Sequence, residues 1–247
     1  PDIIVQRLES EDPFKLGPEV IDDLIPAIQW ADSILIGPGL GNSQPTLDAV
    51  RGIVEIIKRN NKRCVIDADA LKAVKINDLK GSDDPRSLLT PHRGELSILL
   101  DNSSIGFDER YMEDPFDENG RWKDESLDPV VRFTKLSGCD LLVKGPIDMI
   151  ATSHGHSLND HISHHPIHVR YNRTGVPEMS VGGTGDILSG LCAGFMATGM
   201  TPFDSGCVAS YILGRSGEFA RNELGITMSA SKLLMYIPQV LSPSNTS

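Results

Sequence analysis

The stretch VGGTGDILSG (181–190) sets three glycines, a threonine and one carboxylate directly ahead of an apolar run. Ile187, Leu191 and Phe195, with Leu188, Cys192 and Met196 beside them, form two adjacent i, i+4 rows, so the spacing predicts a buried helix beginning right after Gly185. A helix start exposes unpaired N–H groups and a partial positive charge, and glycines just before it let an anion come close to the backbone. Gly182, Gly183 and Gly185 suit that role, and Thr184 adds a hydroxyl donor. The same glycines also suit a tight turn that needs positive φ. Asp186 is either a favourable partner of the helix dipole or, beside an anion site, a base placed to take a proton from a hydroxyl under phosphorylation.

Working outward, short β-rich runs at 33–37 (SILIG), 64–69 (CVIDAD), 87–91 (SLLTP) and 140–145 (DLLVKG) alternate with helical spacing, the pattern of a parallel α/β sheet. Two covering helices are expected: one over 45–60, with Leu47, Val50, Val54 and Ile57 on one face and Pro45 in its first turn, and one over 18–30. The flanks DMIATS (148–153) and IHVRYN (167–172) suit a hairpin whose tip lies in a segment, 153–170, that holds six of the seven histidines; a solvent-facing tip fits it better than a metal site. Between Asp101 and Pro129 the chain is acidic and irregular, as expected of a surface excursion on a domain that resumes at Val130.

With 247 residues, 39% of them hydrophobic and 23% charged, a sizeable core is expected. The net charge of −11 argues against nucleic-acid binding through a bulk positive field, so any phosphate must be met locally. Cys64, Cys139, Cys192 and Cys207 are far apart without a CxxC pair, as expected of core thiols in a reducing compartment. No run is apolar over the roughly 18–20 residues of a membrane span, and the expected location is the cytoplasm.

Four more clusters follow strand-like runs, where open parallel sheets bind ligands. IGPGLGN (36–42) carries Gly37, Gly39 and Gly41. In DADAL (67–71), Asp67 and Asp69 either hold Mg2+, directly or through water, or cap the next helix. In TPHRGEL (90–96), His92 and Glu95 either face a cleft or decorate a Pro-containing turn, and in VKGPID (143–148) Lys144 with the amides around Gly145 suits a nucleotide phosphate or ribose. Their repeated position after strands, together with GGTGD, points to a nucleotide site.

In this order, GPGLG, DADAL, TPHRGEL, KGPID and GGTGDILSG resemble the ADP- or ATP-dependent NAD(P)H-hydrate dehydratases of the ribokinase-like superfamily, with the likeness running from Pro1 to about Leu241. GGTGD alone is shared with sugar and vitamin-precursor kinases; GPGLG with TPHRGEL narrows the resemblance to the dehydratases. It implies an α/β fold over 1–247, a mostly parallel central sheet with helices on both faces. It implies that Gly41, Thr90, His92 and Glu95 contact the hydrated NADH or NADPH, that Lys144, Gly145, Asp148, Gly182, Gly183, Thr184 and Gly185 hold the adenine nucleotide, and that Asp186 is the catalytic base. It further implies ADP or ATP as donor, with ADP the choice of prokaryotic-like members, Mg2+ with the phosphates, a homo-oligomer (often a tetramer), a further glycine-rich stretch of several dozen residues before Pro1, and in many relatives a separate epimerase domain upstream. The rival expectations are a ribokinase-like kinase of a sugar or thiamine-precursor alcohol, using the same Asp186, and a nucleotide-binding regulatory module without turnover.

Overall fold

In the computed structural model, which describes residues 3–8, 16–80, 86–106, 118, 123–153 and 168–242, six strands form one sheet whose spatial order is their order in the chain. Strands β1 (Ser33–Ile36), β2 (Arg63–Ile66), β3 (Ser87–Leu89) and β4 (Asp140–Val143) run parallel; β5 (Asp148–Thr152) and β6 (His168–Asn172) continue the sheet antiparallel, as the expected hairpin. The tip of that hairpin and most of its histidines, at 154–167, lie outside the described residues, as does most of the acidic 101–129 stretch.

A monotone parallel order has a consequence for layering. Crossovers between neighbouring parallel strands are right-handed, so when the order never reverses every crossover helix falls on the same face. Helices α1 (Ile21–Trp30), α2 (Gln44–Arg59), the short α3 (Ile76–Leu79), α4 (Arg93–Asn102) and α5 (Asp124–Ser137) all precede β4. The core on this face packs Val50, Ile53, Val54 and Ile57 of α2, Leu96, Leu99 and Leu100 of α4 and Phe133 of α5 against Cys64, Ile66, Leu89, Leu141 and Val143. The alternate strand residues Val65, Leu88, Leu142 and Ile150 point the other way and need a second cover. Helices α6 (Thr184–Ala197) and α7 (Pro202–Leu224) supply it through Leu188, Cys192, Met196, Phe203, Ala209 and Leu213. Gly206 lets α7 lie close to the sheet, since a Cβ there would stand 3.3 Å from Ile150, 3.4 Å from Leu142 and 3.5 Å from Leu88.

The expected strands and the two covering helices fall within a few residues of their predicted limits. Of the two rows after Gly185, Leu188, Cys192 and Met196 are buried, and Ile187, Leu191 and Phe195 only half-buried. One boundary differs: α5 starts at Asp124, inside the 101–129 stretch, because its first turn is polar and Pro129 sits within it, which hides the helical period. The four cysteines are free, and all but Cys207 are buried.

Candidate active site

Four turns meet where the parallel strands end. Gly37, in the turn after β1, has φ +136°, and a Cβ on it would fall 1.7 Å from the Asp67 carbonyl oxygen, so the GPGLG and DADAL turns press backbone to backbone. In the second turn Ala68 takes φ +49°, a left-handed conformation that costs a non-glycine residue roughly 1–2 kcal/mol. Such strain persists only where the surroundings hold it. Here the turn sets two carboxylates in different places. Asp67 is buried, whereas Asp69 accepts from the Gly41 amide at 2.9 Å and pairs with Lys72 at 2.6 Å.

After β3, His92 is the N-cap of α4. Its Nδ1 accepts from the amides of Gly94 (3.0 Å) and Glu95 (3.2 Å), and Glu95 returns the contact by accepting from the His92 amide at 2.8 Å. An Nδ1 that accepts two amides leaves the ring proton on Nε2. Nε2 stands 3.4 Å from Glu95 Oε1, a long contact, and the ring is 59% exposed. Thr90 is fully buried and does not line the cavity described below; its hydroxyl has no hydrogen-bond partner among the described residues.

After β4, the Lys144 amide donates to the Pro91 carbonyl at 2.8 Å and so bridges to the turn after β3. Its ammonium donates to Asp67 Oδ1 at 2.8 Å and stands 3.7 Å from Glu95 Oε2. The Lys144 ammonium also lies at the start of α6: a Cβ on Gly185 would be 3.4 Å from it. Gly183 is the N-cap of α6 with φ +93°, and Asp186 is exposed in the helix's first turn. The anion-binding turn expected at 181–186 is therefore a helix start with a lysine beside it.

Lys144, Gly145, Thr184 and Gly185 open on a cavity of about 750 Å³ that also takes in His92, Asp148 and Leu188. Its far wall is the segment Thr174–Ser180 packed on α7, and this wall was not foreseen from sequence. Gly214 and Gly217 make it fit: a Cβ on either would stand 2.1 Å from Thr174 Oγ1 or Met179 Sδ. Glu218 accepts from the Gly175 amide at 3.1 Å, and Arg221 pairs with Glu178 at 3.3 Å. The wall is tied to the turn after β4 through Asp148, which accepts from Gly145 N and Asn172 Nδ2, both at 3.1 Å, while Asn172 Oδ1 accepts from the Thr174 hydroxyl at 2.7 Å. Burial pushes the Asp148 carboxyl up, opposed by the Gly145 and Asn172 amides and by Lys144. The pairing of small residues on a helix with an NRTG segment (172–175) after a hairpin was the available signal, a weak one.

The structure thus brings together Asp67, His92, Glu95, Lys144, Gly145, Thr184 and Gly185. Gly41 and Asp69 form a neighbouring contact at the ends of β1 and β2, outside the cavity lining, as are Gly182, Gly183 and Asp186 on the exposed side of the α6 start. No set of three or more metal-ligating side chains gathers among the described residues.

A family model for NAD(P)H-hydrate dehydratases matches residues 2–239. The chain belongs to the NAD(P)H-hydrate dehydratase family. It is 33% identical over 244 residues to a bifunctional NAD(P)H-hydrate repair enzyme of Methanothermobacter thermautotrophicus, covering 98% of this chain and 41% of that protein. It is 32% identical over 212 residues to an ADP-dependent (S)-NAD(P)H-hydrate dehydratase of Cenarchaeum symbiosum, covering 86% of this chain and 62% of that one. The family member in hand thus spans about two-fifths of the bifunctional relative and under two-thirds of the single-function one. In fold it is similar to the Bacillus subtilis ADP/ATP-dependent NAD(P)H-hydrate dehydratase co-crystallized with ATP/Mg2+, with TM-score 0.64, 22% identity, 91% of this chain and 76% of that chain covered. The ribokinase-like architecture expected from the motif series is the one observed.

Proposed function

We propose that this dehydratase-family chain catalyses the ADP-dependent dehydration of the (S)-hydrate of NADH or NADPH. The observation that carries the reading is the convergence of the Lys144 ammonium with the glycine-rich start of α6 at the mouth of a cavity large enough for a nucleotide. Family membership and the activity of the Cenarchaeum relative support the choice of substrate.

The chemistry required is modest. The hydrate carries a hydroxyl on the ring carbon beside the ring nitrogen, and hydroxide leaves poorly at neutral pH. In the proposed first step Asp186 takes the hydroxyl proton as the oxygen attacks the terminal phosphoryl group of ADP, which releases AMP. General-base assistance of this kind is worth roughly 10² to 10⁴ in rate. The amides at Gly183–Gly185 and the Lys144 ammonium take up charge on the transferring oxygens, and Gly145, Asp148 and Gly182 shape the nucleotide side. The ring nitrogen's lone pair then expels phosphate, and loss of a proton from the adjacent carbon restores the dihydropyridine. His92, through its Nε2–H, is assigned with Glu95 and Gly41 to the hydrate side, with buried Thr90 behind them.

Mg2+ bound with the nucleotide would neutralise phosphate oxygens. Asp67 and Asp69 each already carry a lysine ammonium, so they fit contact with the ion's water shell better than direct ligation. We place the enzyme in the cytoplasm, where its free thiols suit a reducing setting, as a homo-oligomer working downstream of an epimerase.

The test is recovery of reduced-nicotinamide absorbance from NADPH hydrate with Mg2+ and ADP or ATP, alongside phosphate release. Recovery that vanishes in Asp186→Asn supports the reading. A phosphorylated product that persists would make the chain a kinase, and nucleotide binding without turnover a regulatory module.

A further inference from the structure

Asp67 is 1% exposed, and its Oδ1 holds the one hydrogen bond found for the Lys144 ammonium among the described residues. Lys144 sits where a cation is least at ease, beside a helix start whose free amides carry partial positive charge. A buried carboxylate offsets that repulsion and is itself tolerable only when paired. Glu95, at 3.7 Å, offers the ammonium a second and looser seat. One of the three ammonium donors goes to Asp67, and the side chain still lines the cavity.

We infer that Asp67 is a positioning residue: it acts on the nucleotide through Lys144, by seating the ammonium at the start of α6, and this effect does not require Mg2+. The inference rests on the assignment of Lys144 to nucleotide phosphate made above. It carries an unusual sign. Removing a carboxylate near an anion site should by charge alone tighten anion binding, whereas removing the group that seats the cation should loosen it.

The experiment measures ADP affinity by calorimetry for the parent chain and Asp67→Asn, once with Mg2+ and once with EDTA, after circular dichroism has confirmed the fold. Affinity about tenfold weaker in both buffers is the expected result. A loss seen only with Mg2+ would place the action of Asp67 on the metal, and unchanged or tighter binding would leave it without a positioning role; either overturns the inference. Should Asp67→Asn fold poorly, Lys144→Met and the Asp67→Asn/Lys144→Met double variant decide instead: the second change is expected to alter ADP affinity less than twofold, and a further large loss overturns the inference. A parent chain that binds no ADP in either buffer removes the nucleotide assignment and this inference together. A chain that binds ADP yet never converts the hydrate back to the reduced nicotinamide sinks only the dehydratase reading.

Discussion

His92 and Glu95 cap one another across the first turn of α4: the ring Nδ1 accepts the Glu95 amide at 3.2 Å, and the Glu95 carboxylate accepts the His92 amide at 2.8 Å. The ring is therefore fixed by two amides at Nδ1, while Nε2 stands 3.4 Å from Glu95 Oε1 on a ring that is 59% exposed. We predict that His92→Ala lowers stability by about 1 kcal/mol through loss of the cap. His92→Asn, whose side-chain oxygen can cap, should recover most of that stability and still show a raised KM for the hydrate. Urea midpoints beside hydrate KM values separate the two roles.

The buried pair Lys144–Asp67 should be asymmetric. Lys144→Met strands a carboxylate that is 1% exposed, at a cost of about 3–5 kcal/mol. Asp67→Asn leaves an ammonium with Glu95 in reach and should cost clearly less. The double variant should regain most of what Lys144→Met loses. Chemical denaturation of the four proteins closes the cycle, and simple additivity would argue against the pairing.

Two glycines of one turn should behave differently. Gly37→Ala places a Cβ 1.7 Å from the Asp67 carbonyl oxygen, a backbone atom, so we expect a protein that is insoluble or melts far below the parent. Gly39→Ala meets open space and only the strain of φ +73°, roughly 1–2 kcal/mol. Expression yield and thermal melts of the two variants make the comparison; equal effects would mean the two turns do not press together.

Burial pushes the Cys139 thiol up to about 12 and the Cys207 thiol up to about 11, and Cys64 and Cys192 are raised as well. In the unfolded chain thiols ionise near 8.5. Above that pH the unfolded state gives up protons that the native state keeps, so stability should fall as pH rises from about 9 towards 11. Below about pH 8 the thiols should contribute no slope. Urea midpoints across this range check the sign, and Cys64 and Cys192 should resist alkylation until the protein unfolds.

The parts of the site that were legible in the sequence are those made by local chemistry. The glycine-acid turn at 181–186, the strand ends and the amphipathic α2 each carry their signal within a dozen or so residues. The longest helix was not legible. α7 is buried at positions all round its axis, among them Phe203, Ser205, Ala209, Ile212, Leu213 and Ser216, and it carries Gly206, Gly214 and Gly217, so no apolar stripe and weak propensity mark it. Its glycines become meaningful only once the sheet and the 174–180 wall lie against them. The same holds for Asp67 and Lys144, which are 77 residues apart and meet because β2 and β4 flank β3. Read alone, Asp67 suggested a metal ligand or a helix cap; no side-chain cap bond is formed by it.

The unreversed strand order carries a consequence for synthesis on the ribosome. As the nascent chain emerges, β1 to β4 and their crossover helices can close one layer. Val65, Leu88 and Leu142 then present a bare apolar sheet face until residues 184–224 arrive. Of the two helices that cover this face, the first to arrive, α6, holds Asp186 in its first turn. Installation of the proposed base thus comes with the first part of the seal, which α7 completes. A nascent chain halted before α6 would be sticky and chemically inert, and quality control could recognise it by its exposed face.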